Sequence, residues 1–389
     1  MVVIEMIVKL DDVVDKISGN EDRFTTDLVY YLAGEHYESE RIAIYKKGVL
    51  QDDLNLLGFK FHFPFKAGDT IFMSRNPHLK KAGMVTYDGI CSDTSYILRT
   101  KDNSVLLERF LPLVLQNDRF WNWFEENKSG SVNYLLNWKT LKEYEFDLPP
   151  IDEQQRIADL AWAMERTRVA YEQMIAATDA LVKSQFIEMF GDPDTNPKQW
   201  AVKSIGDIAT DVHYGTSKPA IEGGIYPYLR MNNLTADGYI DLTDLKYIDL
   251  PENELDGCLV HYGDILFNRT NSKEWVGKTA LFDLDQDMVI AGYIIRVRVN
   301  SEVLPCFLVK YMNLPYMKKM LRGMAKGAVH QANINAKEMQ SIKLFIPPLE
   351  LQQQFAELVR QTDKSKFELT QALEALNATY KKLISENLG

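Results

Sequence analysis

The sequence predicts an α+β protein with two mixed α/β domains, each followed by a long helix. The two helices are predicted to pair as an antiparallel coiled coil with pseudo-twofold symmetry. Two observations lead to this prediction. The stretches FDLPPIDEQQRIADL, from Phe146, and LFIPPLELQQQFAEL, from Leu344, are nearly alike and lie about 200 residues apart. Each also opens an apolar pattern that recurs every three or four residues, which is typical of helices packed along each other.

The near-identity of these stretches belongs to a repeat that runs through the chain. AGDTIF, with Asp69, matches YGDILF, with Asp264, and Asp12 in VKLDDVVD matches Asp207 in VKSIGDIA. Matches that keep their order and spacing indicate an internal duplication. The predicted boundaries are a first domain over 1–148, a first long helix over 149–190, a linker over 191–199, a second domain over 200–346 and a second long helix over 347–389.

The part of each half that precedes its helix is predicted to form a mixed domain. Short apolar runs such as DTIFMSRN, TSYILR, YIIRVRV and QSIKLFI alternate with glycines and other turn residues. Runs of this length with turn signals on both sides are typical of β-strands. We therefore expect strands with helical insertions in both domains.

Each long helix has a recognisable beginning. Pro149 and Pro150 end the strand before the first helix, and Asp152 and Glu153 occupy its first turn. Carboxylates in a first turn interact favourably with the helix dipole. At the other end, Gly191 caps the helix and DPDTNP forms a linker.

The apolar stripes of the two helices are predicted to pack against each other. An alternative is that each helix packs only on the domain beside it. The two helices match in length and in their place within each half, which favours mutual pairing. The residues predicted to pack are Ile157, Leu160, Met164, Tyr171, Met174 and Leu181 on the first helix, and Phe355, Leu358, Leu369, Leu376 and Leu383 on the second.

Charge is distributed unevenly along this acidic chain. The net charge is −11, which on average disfavours binding to phosphates. Between Glu302 and Glu338, however, the sequence has no carboxylate. This basic window contains Lys310, Lys318, Lys319, Arg322, Lys326 and Lys337. It predicts a positive face on an otherwise acidic protein.

Several other classes of protein are disfavoured. Cys91, Cys258 and Cys306 form no CxxC pair, which argues against zinc ribbons and disulfide frameworks and fits a reducing cytoplasm. The histidines lack HExxH or HxxxH spacing, so no metal site is expected. No apolar run is long enough to span a membrane, and the first residues do not resemble a signal peptide.

Clusters of cationic and amide side chains are candidates for contacts with DNA. Arginine can bind guanine with two hydrogen bonds, asparagine can bind adenine, and lysine contacts phosphates. For each residue the alternative is a solvated loop or a structural hydrogen bond. The candidates in the first half are Arg75, Asn76, His78, Lys80 and Lys81. Those in the second half are Tyr214, Thr216, Ser217, Lys218, Arg230, Asn232, Asn233, Arg269, Asn271, Lys273, Lys326, His330, Gln331 and Asn333.

Several of these motifs together resemble a known family. LPPIDEQQRIA and IPPLELQQQFA, each leading into a long helix, are similar to the specificity subunit of Type I restriction-modification enzymes. YYLAGEHYE and FKAGDTIFMSRNPHLKK are similar to one class of that family's target recognition domain. VHYGTSKPAIEGG, GDILFNRTNSKEWVGKTALF and KGAVHQANINAKEM are similar to another class. The resemblance extends over nearly the whole chain.

The resemblance implies a function and a set of partners. Each target recognition domain would bind one half of a bipartite, asymmetric sequence in double-stranded DNA, and the helix pair would set the spacer. Two methyltransferase subunits would dock and methylate adenine N6 with S-adenosylmethionine. Restriction and motor subunits would cleave DNA with ATP and Mg²⁺. This chain itself would have no catalytic residue, cofactor, metal or membrane contact.

Two other functions remain as alternatives. A DNA methyltransferase or nuclease acting alone would need catalytic motifs that the sequence lacks. NLPY, at Asn313–Tyr316, has leucine where amino-methyltransferases have proline, and Ser272 stands where a phosphate-binding loop ending in Gly277-Lys278-Thr279 needs glycine. A coiled-coil adaptor that binds proteins would explain the acidity, but it explains the basic window less well.

Overall fold

The computed structural model describes residues 6–76, 79–128, 135–328 and 331–388. The chain forms two compact units. The first unit contains Met1–Met174 and Leu369–Gly389, and the second contains Ile175–Glu368. Each unit includes one half of each long helix, so its borders lie inside the helices. The domain boundaries given above remain a prediction.

The first unit is built on two sheets of mixed topology. Its strands are β1 (Met6–Lys9), β2 (Val14–Ile17), β3 (Tyr30–Leu32), β4 (Ala43–Ile44), β5 (Gly48–Val49), β6 (Phe61–Phe65), β7 (Thr70–Met73), β8 (Ala82–Val85), β9 (Gly89–Ser92), β10 (Ser95–Thr100) and β11 (Glu145–Leu148). Its helices are α1 (Leu10–Val13), α2 (Leu50–Asp53), α3 (Leu111–Val114), α4 (Asp118–Asn127), α5 (Trp138–Leu141) and the first half of α6 (Ile151–Phe190). One sheet has the order β2-β10-β7-β8-β4, another has β5-β3-β9-β6, and β1 pairs with β11.

The second unit has the same kind of architecture. Its strands are β12 (Ala201–Ser204), β13 (Ala209–Tyr214), β14 (Tyr226–Leu229), β15 (Lys246–Ile248), β16 (Leu259–Val260), β17 (Ile265–Asn268), β18 (Thr270–Asn271), β19 (Thr279–Leu281), β20 (Met288–Ile290), β21 (Ile294–Val299), β22 (Lys326–Ala328), β23 (Gln331–Asn333) and β24 (Lys343–Ile346). Its helices are α7 (Ile205–Ile208), α8 (Glu252–Cys258), α9 (Pro305–Met312), α10 (Pro315–Met324), α11 (Ala336–Gln340) and the first half of α12 (Leu349–Leu388). The sheets are β13-β21-β17-β19, β15-β14-β20-β16, β18-β23-β22 and β12-β24.

The sequence repeat corresponds to repeated local structure. The carboxylate of Asp12 accepts the backbone N–H of Lys9 at 3.1 Å, and that of Asp207 accepts the N–H of Ser204 at 2.8 Å. Each aspartate thereby satisfies a free N–H at the start of a short helix. In both units the strand before this helix pairs antiparallel with the strand that leads into the proline pair.

A second repeated structural feature accounts for the similarity of AGDTIF and YGDILF. Gly68 has φ +96° and Gly263 has φ +92°, a conformation that favours glycine because it has no Cβ. The aspartate that follows each glycine is buried and accepts an arginine of a neighbouring strand. The Asp69–Arg99 and Asp264–Arg298 ion pairs both measure 2.7 Å.

The two long helices run antiparallel within each unit, which confirms the predicted pairing. In the first unit Ile157 and Ala161, early in α6, share a core with Ile384, late in α12. In the second unit Phe186, late in α6, packs on Phe355, early in α12, with ring centroids 5.5 Å apart. Within the described residues, no helix is long and apolar enough to cross a membrane.

The predicted packing stripe is wrong for part of the first helix. Leu160, Met174 and Leu181 are 41%, 51% and 48% exposed. The buried positions of α6 include Ala158, Ala161, Glu165, Val182 and Phe186. Glu165 pairs with Arg41 of the first domain at 2.8 Å, so part of the buried face of α6 packs on the domain beside it, and an apolar pattern does not reveal such a polar position.

The remaining predicted packing residues are at least partly buried. Ile157 and Phe355 lie fully inside the two cores, whereas Leu383 and Leu358 pack at the edges of the cores of the first and second units. Met164, Tyr171, Leu369 and Leu376 are half-buried.

Candidate nucleic-acid interface

A small three-stranded sheet in the second unit brings together several of the predicted DNA-binding residues. Strand β23 pairs with β18 on one side, with Thr270 opposite Asn333, and with β22 on the other, with Lys326 opposite Asn333. Gly327 has φ +115°, and a Cβ there would lie 2.4 Å from the Gln331 carbonyl oxygen, so this hairpin requires glycine. The sheet therefore places residues near 270 and near 333 side by side.

Arg269 is the best-oriented cation of this group. Its guanidinium lies 4.8 Å from the centroid of the Tyr214 ring, and Nη2 is 3.4 Å from Oδ1 of Asn333. The Tyr214 hydroxyl accepts the backbone N–H of Ala336 at 2.8 Å, which holds the ring in place. In the part of the chain that the structure describes, no carboxylate lies within 4.0 Å of this guanidinium. Most of its donor capacity therefore remains available, while stacking fixes its direction.

In the loop after Arg269, the side chain of Asn271 is hydrogen-bonded within the loop, whereas that of Lys273 is exposed. Asn271 donates to Oδ1 of Asn268 at 2.9 Å and accepts the backbone N–H of Ser272 at 2.8 Å. These two bonds use half of the hydrogen-bonding capacity of its amide. Lys273 is exposed, as is Gln331 on β23, so both can contact a ligand.

The segment that follows Tyr214 lies beside this sheet. A Cβ at Gly215 would come within 2.1 Å of the carbonyl oxygen of Ile290, so only glycine permits this approach. Thr216 forms an isolated parallel β-bridge with Ala291. Its hydroxyl oxygen accepts the backbone N–H of Lys218 at 3.2 Å. Ser217 is exposed, whereas Lys218 forms an exposed ion pair of 2.8 Å with Glu254.

Asn233 and Arg230, two of the predicted DNA-binding residues, form hydrogen bonds within the fold. Asn233 is buried, accepts the N–H of Arg230 at 2.9 Å and donates to the carbonyl of Asp241 at 2.8 Å. Arg230 donates to Asp244 at 2.6 Å, and this ion pair lowers the pKa of the Asp244 carboxyl. The loop over 241–244 therefore uses hydrogen-bonding groups of both residues, and their predicted contact with DNA stays a prediction. The adjacent Asn232 is exposed.

The basic window does not form one uniform positive face. Lys326 pairs with Glu338 at 2.5 Å, and its hydrogen bond lowers the pKa of that carboxyl. Lys310 donates to the Tyr239 hydroxyl at 3.0 Å and lies 4.0 Å from Asp363. Both cations are thus neutralised locally by carboxylates from outside the window.

The first unit offers fewer free groups. Arg75 and Asn76 are exposed, and Asn76 has φ +50°, a turn conformation that asparagine tolerates. Lys80 pairs with Glu40 at 2.9 Å, and Lys81 donates to the carbonyl of Gly34 at 2.7 Å, so these two lysines stabilise the fold. His78 and His330 lie outside the described residues.

One aromatic residue at this site was missed. Tyr293 is 49% exposed, and its carbonyl oxygen accepts the backbone N–H of Arg269 at 2.9 Å. An exposed aromatic ring can serve as a platform on which a base stacks. The sequence signal was weak, because Tyr293 begins the run YIIRVRV and was interpreted only as part of a strand.

Comparison with known proteins identifies the family. The family model of the type I restriction modification DNA specificity domain matches residues 5–173 and 197–377. A putative type I restriction enzyme MjaX specificity subunit of Methanocaldococcus jannaschii is 28% identical over 49% of this chain and 45% of that protein. The type I restriction enzyme EcoKI specificity subunit of Escherichia coli is 26% identical over 61% of this chain and 55% of that protein. The chain spans about half the length of the curated relatives it matches.

Solved structures show the same fold. The S subunit of a type I restriction-modification system from M. genitalium has a TM-score of 0.59 at 15% identity, with coverage of 100% of this chain and 97% of that chain. A chain from a type I R-M system described for its complex assembly and conformational transition has a TM-score of 0.54 at 20% identity, with 98% and 97% coverage. With a matched segment in each half, the chain belongs to the family of type I restriction-modification DNA specificity domains.

Proposed function

We propose that this chain is the DNA-recognition subunit of a type I restriction-modification complex and that it binds a bipartite, asymmetric sequence in double-stranded DNA. The observation that supports this most directly is the cluster of Tyr214, Arg269 and Asn333. It combines a stacked, carboxylate-free guanidinium with amide groups, and these are the groups that bind base edges. The two family matches, one in each half of the chain, support one DNA half-site for each domain.

The difference between the two units supports an asymmetric target. The first unit presents Arg75 and Asn76 on a turn, and the second presents Arg269 beside a small sheet. Different side chains, held by different backbone structures, recognise different base sequences. The pair of long helices, which run antiparallel within each unit, would set the length of the spacer between the half-sites.

The chemistry would belong to partner subunits. Two methyltransferase subunits would bind S-adenosylmethionine and methylate adenine N6 in each half-site, and restriction subunits would use ATP and Mg²⁺ to cleave DNA. This chain would bind neither these cofactors nor a metal, would contribute no catalytic residue and would act in the cytoplasm. Its part in the reaction is to position the partners on one sequence.

The experiment that tests this proposal is a genome-wide map of N6-methyladenine by long-read sequencing. Cells that express the chain together with the methyltransferase encoded beside it are compared with cells that express the methyltransferase alone. We expect a two-part motif with a fixed gap only when the chain is present. Equal methylation in both strains would contradict the proposal and favour a protein-binding adaptor.

A further inference from the structure

A cationic pocket in the second unit lies apart from the Arg269 cluster. Its volume is about 290 Å³. Four separate segments form its walls: the end of α6, the turn before Gly238, the loop before β19, and α10. The charged residues that line it are Lys183, Asp237, Glu274, Lys278, Lys318 and Arg322. Four cations therefore face two carboxylates in a confined space.

Lys318 is the central group of this pocket. It is half-buried on α10, and none of the carboxylates in the described ranges comes within 4.0 Å of its ammonium group. Burial, together with the nearby charges of Lys278, Arg322 and Lys183, lowers its pKa to about 8, although the Asp237 carboxylate acts in the opposite direction. A half-buried charge without an opposite partner costs free energy, so the protein maintains an unfavourable arrangement here.

The neighbouring cations do not relieve this cost. The ammonium group of Lys278 donates to the carbonyl oxygens of Met231, at 2.8 Å, and Leu234, which hold it at the pocket wall. Lys183 and Arg322 are exposed at the rim, and over the described part of the chain neither has a carboxylate within 4.0 Å. An anion bound between these groups would compensate both the burial and the mutual repulsion.

We propose that this pocket binds a phosphate group through Lys318, Lys278 and Arg322. A phosphate group is negatively charged and has unesterified oxygens that can each accept more than one hydrogen bond, so it can accept donors from three directions at once. The phosphate is either free inorganic phosphate or a phosphodiester of bound DNA. Both sources present unesterified phosphate oxygens, and the test below distinguishes them.

The pocket contains its own optical reporter. Trp275 lines the cavity and is 45% exposed, so an anion bound beside it changes its fluorescence. The 389-residue chain is titrated with inorganic phosphate against chloride at constant ionic strength, without DNA. We expect a saturable change that disappears in a Trp275→Phe variant, which assigns the signal to this pocket.

The decisive comparison is Lys318→Met against Lys319→Met. Lys319 lies next to Lys318 on α10 but is exposed, so it controls for the loss of one positive charge. Loss of a charged hydrogen bond should weaken phosphate binding at least about tenfold in Lys318→Met, with less than about a twofold effect in Lys319→Met. Equal phosphate affinity in the two variants would overturn the assignment of a free phosphate.

A second titration with a short DNA duplex identifies the source of the phosphate. If free phosphate has no effect but Lys318→Met binds the duplex more weakly than Lys319→Met at the same salt concentration, the pocket takes a DNA phosphodiester. If neither ligand distinguishes the two variants, the proposal is wrong. The phosphate arm requires no DNA, so its outcome is independent of the proposed function.

Discussion

The ammonium group of Lys366 lies 2.8 Å from Oδ1 and 2.9 Å from Oδ2 of Asp179, in the seam between the two long helices of the second unit. Their side chains are 20% and 27% exposed. An ion pair between two helices favours one register, because a shifted alignment would break it.

We expect Asp179→Ala to destabilise the protein by about 1–3 kcal/mol, since it leaves the Lys366 charge poorly solvated. The double variant Asp179→Leu with Lys366→Leu should recover most of this loss, because it removes both charges. Urea denaturation measures both. A double variant less stable than Asp179→Ala would contradict the explanation.

The buried glutamines of the two repeated helix starts should also be sensitive to mutation. Gln352 is fully buried, accepts the N–H of Leu304 at 2.9 Å, and donates to the carbonyls of Glu302 and Pro347, each at 2.9 Å. Gln352→Leu would leave these groups unpaired, at a cost of about 2–4 kcal/mol. The exposed Gln353 provides the control, and Gln353→Leu should change the free energy of unfolding by less than about 0.5 kcal/mol.

Gln154 and the buried face of α6 show what sequence patterns predict and what they miss. The proline pairs and repeated spacing were sufficient to predict two long, antiparallel helices. The same pattern contains Gln154, whose side chain bonds Leu107, Val105 and Pro149, but a helical pattern says nothing about such contacts. The buried face of α6 differs from the predicted stripe for a related reason, because Glu165 is buried against Arg41 and is not apolar.

The candidate DNA site was predicted in part, for reasons that concern distant contacts. Arg269 and Asn333 were both identified, and the sheet brings them together. Lys80 and Asn233 looked equally suitable, yet Glu40 and the loop containing Asp241 occupy their polar groups. Whether a polar side chain is free depends on partners far along the chain, which a local motif does not show.

Arg269 should determine part of the DNA specificity. In the complex with its methyltransferase, Arg269→Ala should relax or abolish one half of the methylated motif and leave the other half unchanged, since one bidentate contact is worth about 1–3 kcal/mol. Arg269→Lys retains the charge but lacks the planar fork, and we expect a similar relaxation. Lys273→Ala should weaken methylation without changing the motif, because lysine contacts phosphates. Methylation mapping distinguishes these outcomes, and an unchanged motif in both Arg269 variants would remove this residue from base recognition.

Arg75 should act on the other half of the motif. It is exposed after β7, and within the described residues no carboxylate lies within 4.0 Å of its guanidinium. We expect Arg75→Ala to change only the half-site that Arg269 variants leave intact. Lys81→Ala is the comparison in the same segment, since that lysine is bonded to Gly34 and its loss should lower stability without altering the motif. If Arg75 and Arg269 variants changed the same half-site, this result would contradict the proposal that each domain recognises its own half-site.

Lys318 should make stability depend on pH in a defined direction. Its pKa is lowered from 10.5 to about 8 in the folded protein, so the unfolded chain binds this proton more tightly than the folded one. Below about pH 8 the lysine is charged in both states and the burial penalty is present in full. Between about pH 8 and 10.5 the folded protein releases the proton, and the penalty disappears as the pH rises.

The comparison of Lys318→Met with the original chain isolates this effect. Without phosphate at pH 7, Lys318→Met should be more stable by about 2 kcal/mol, because methionine needs no hydration. At pH 10 that advantage should be less than about half as large, because the folded protein has released the proton while the unfolded lysine, with a pKa of 10.5, is still mostly charged. The groups that face Lys318 are Asp237, Lys278, Arg322 and Lys183, and the same four remain in the variant, so their own titration largely cancels. Urea denaturation at the two pH values measures the difference, and an advantage that grows with pH would show that Lys318 is not the titrating group.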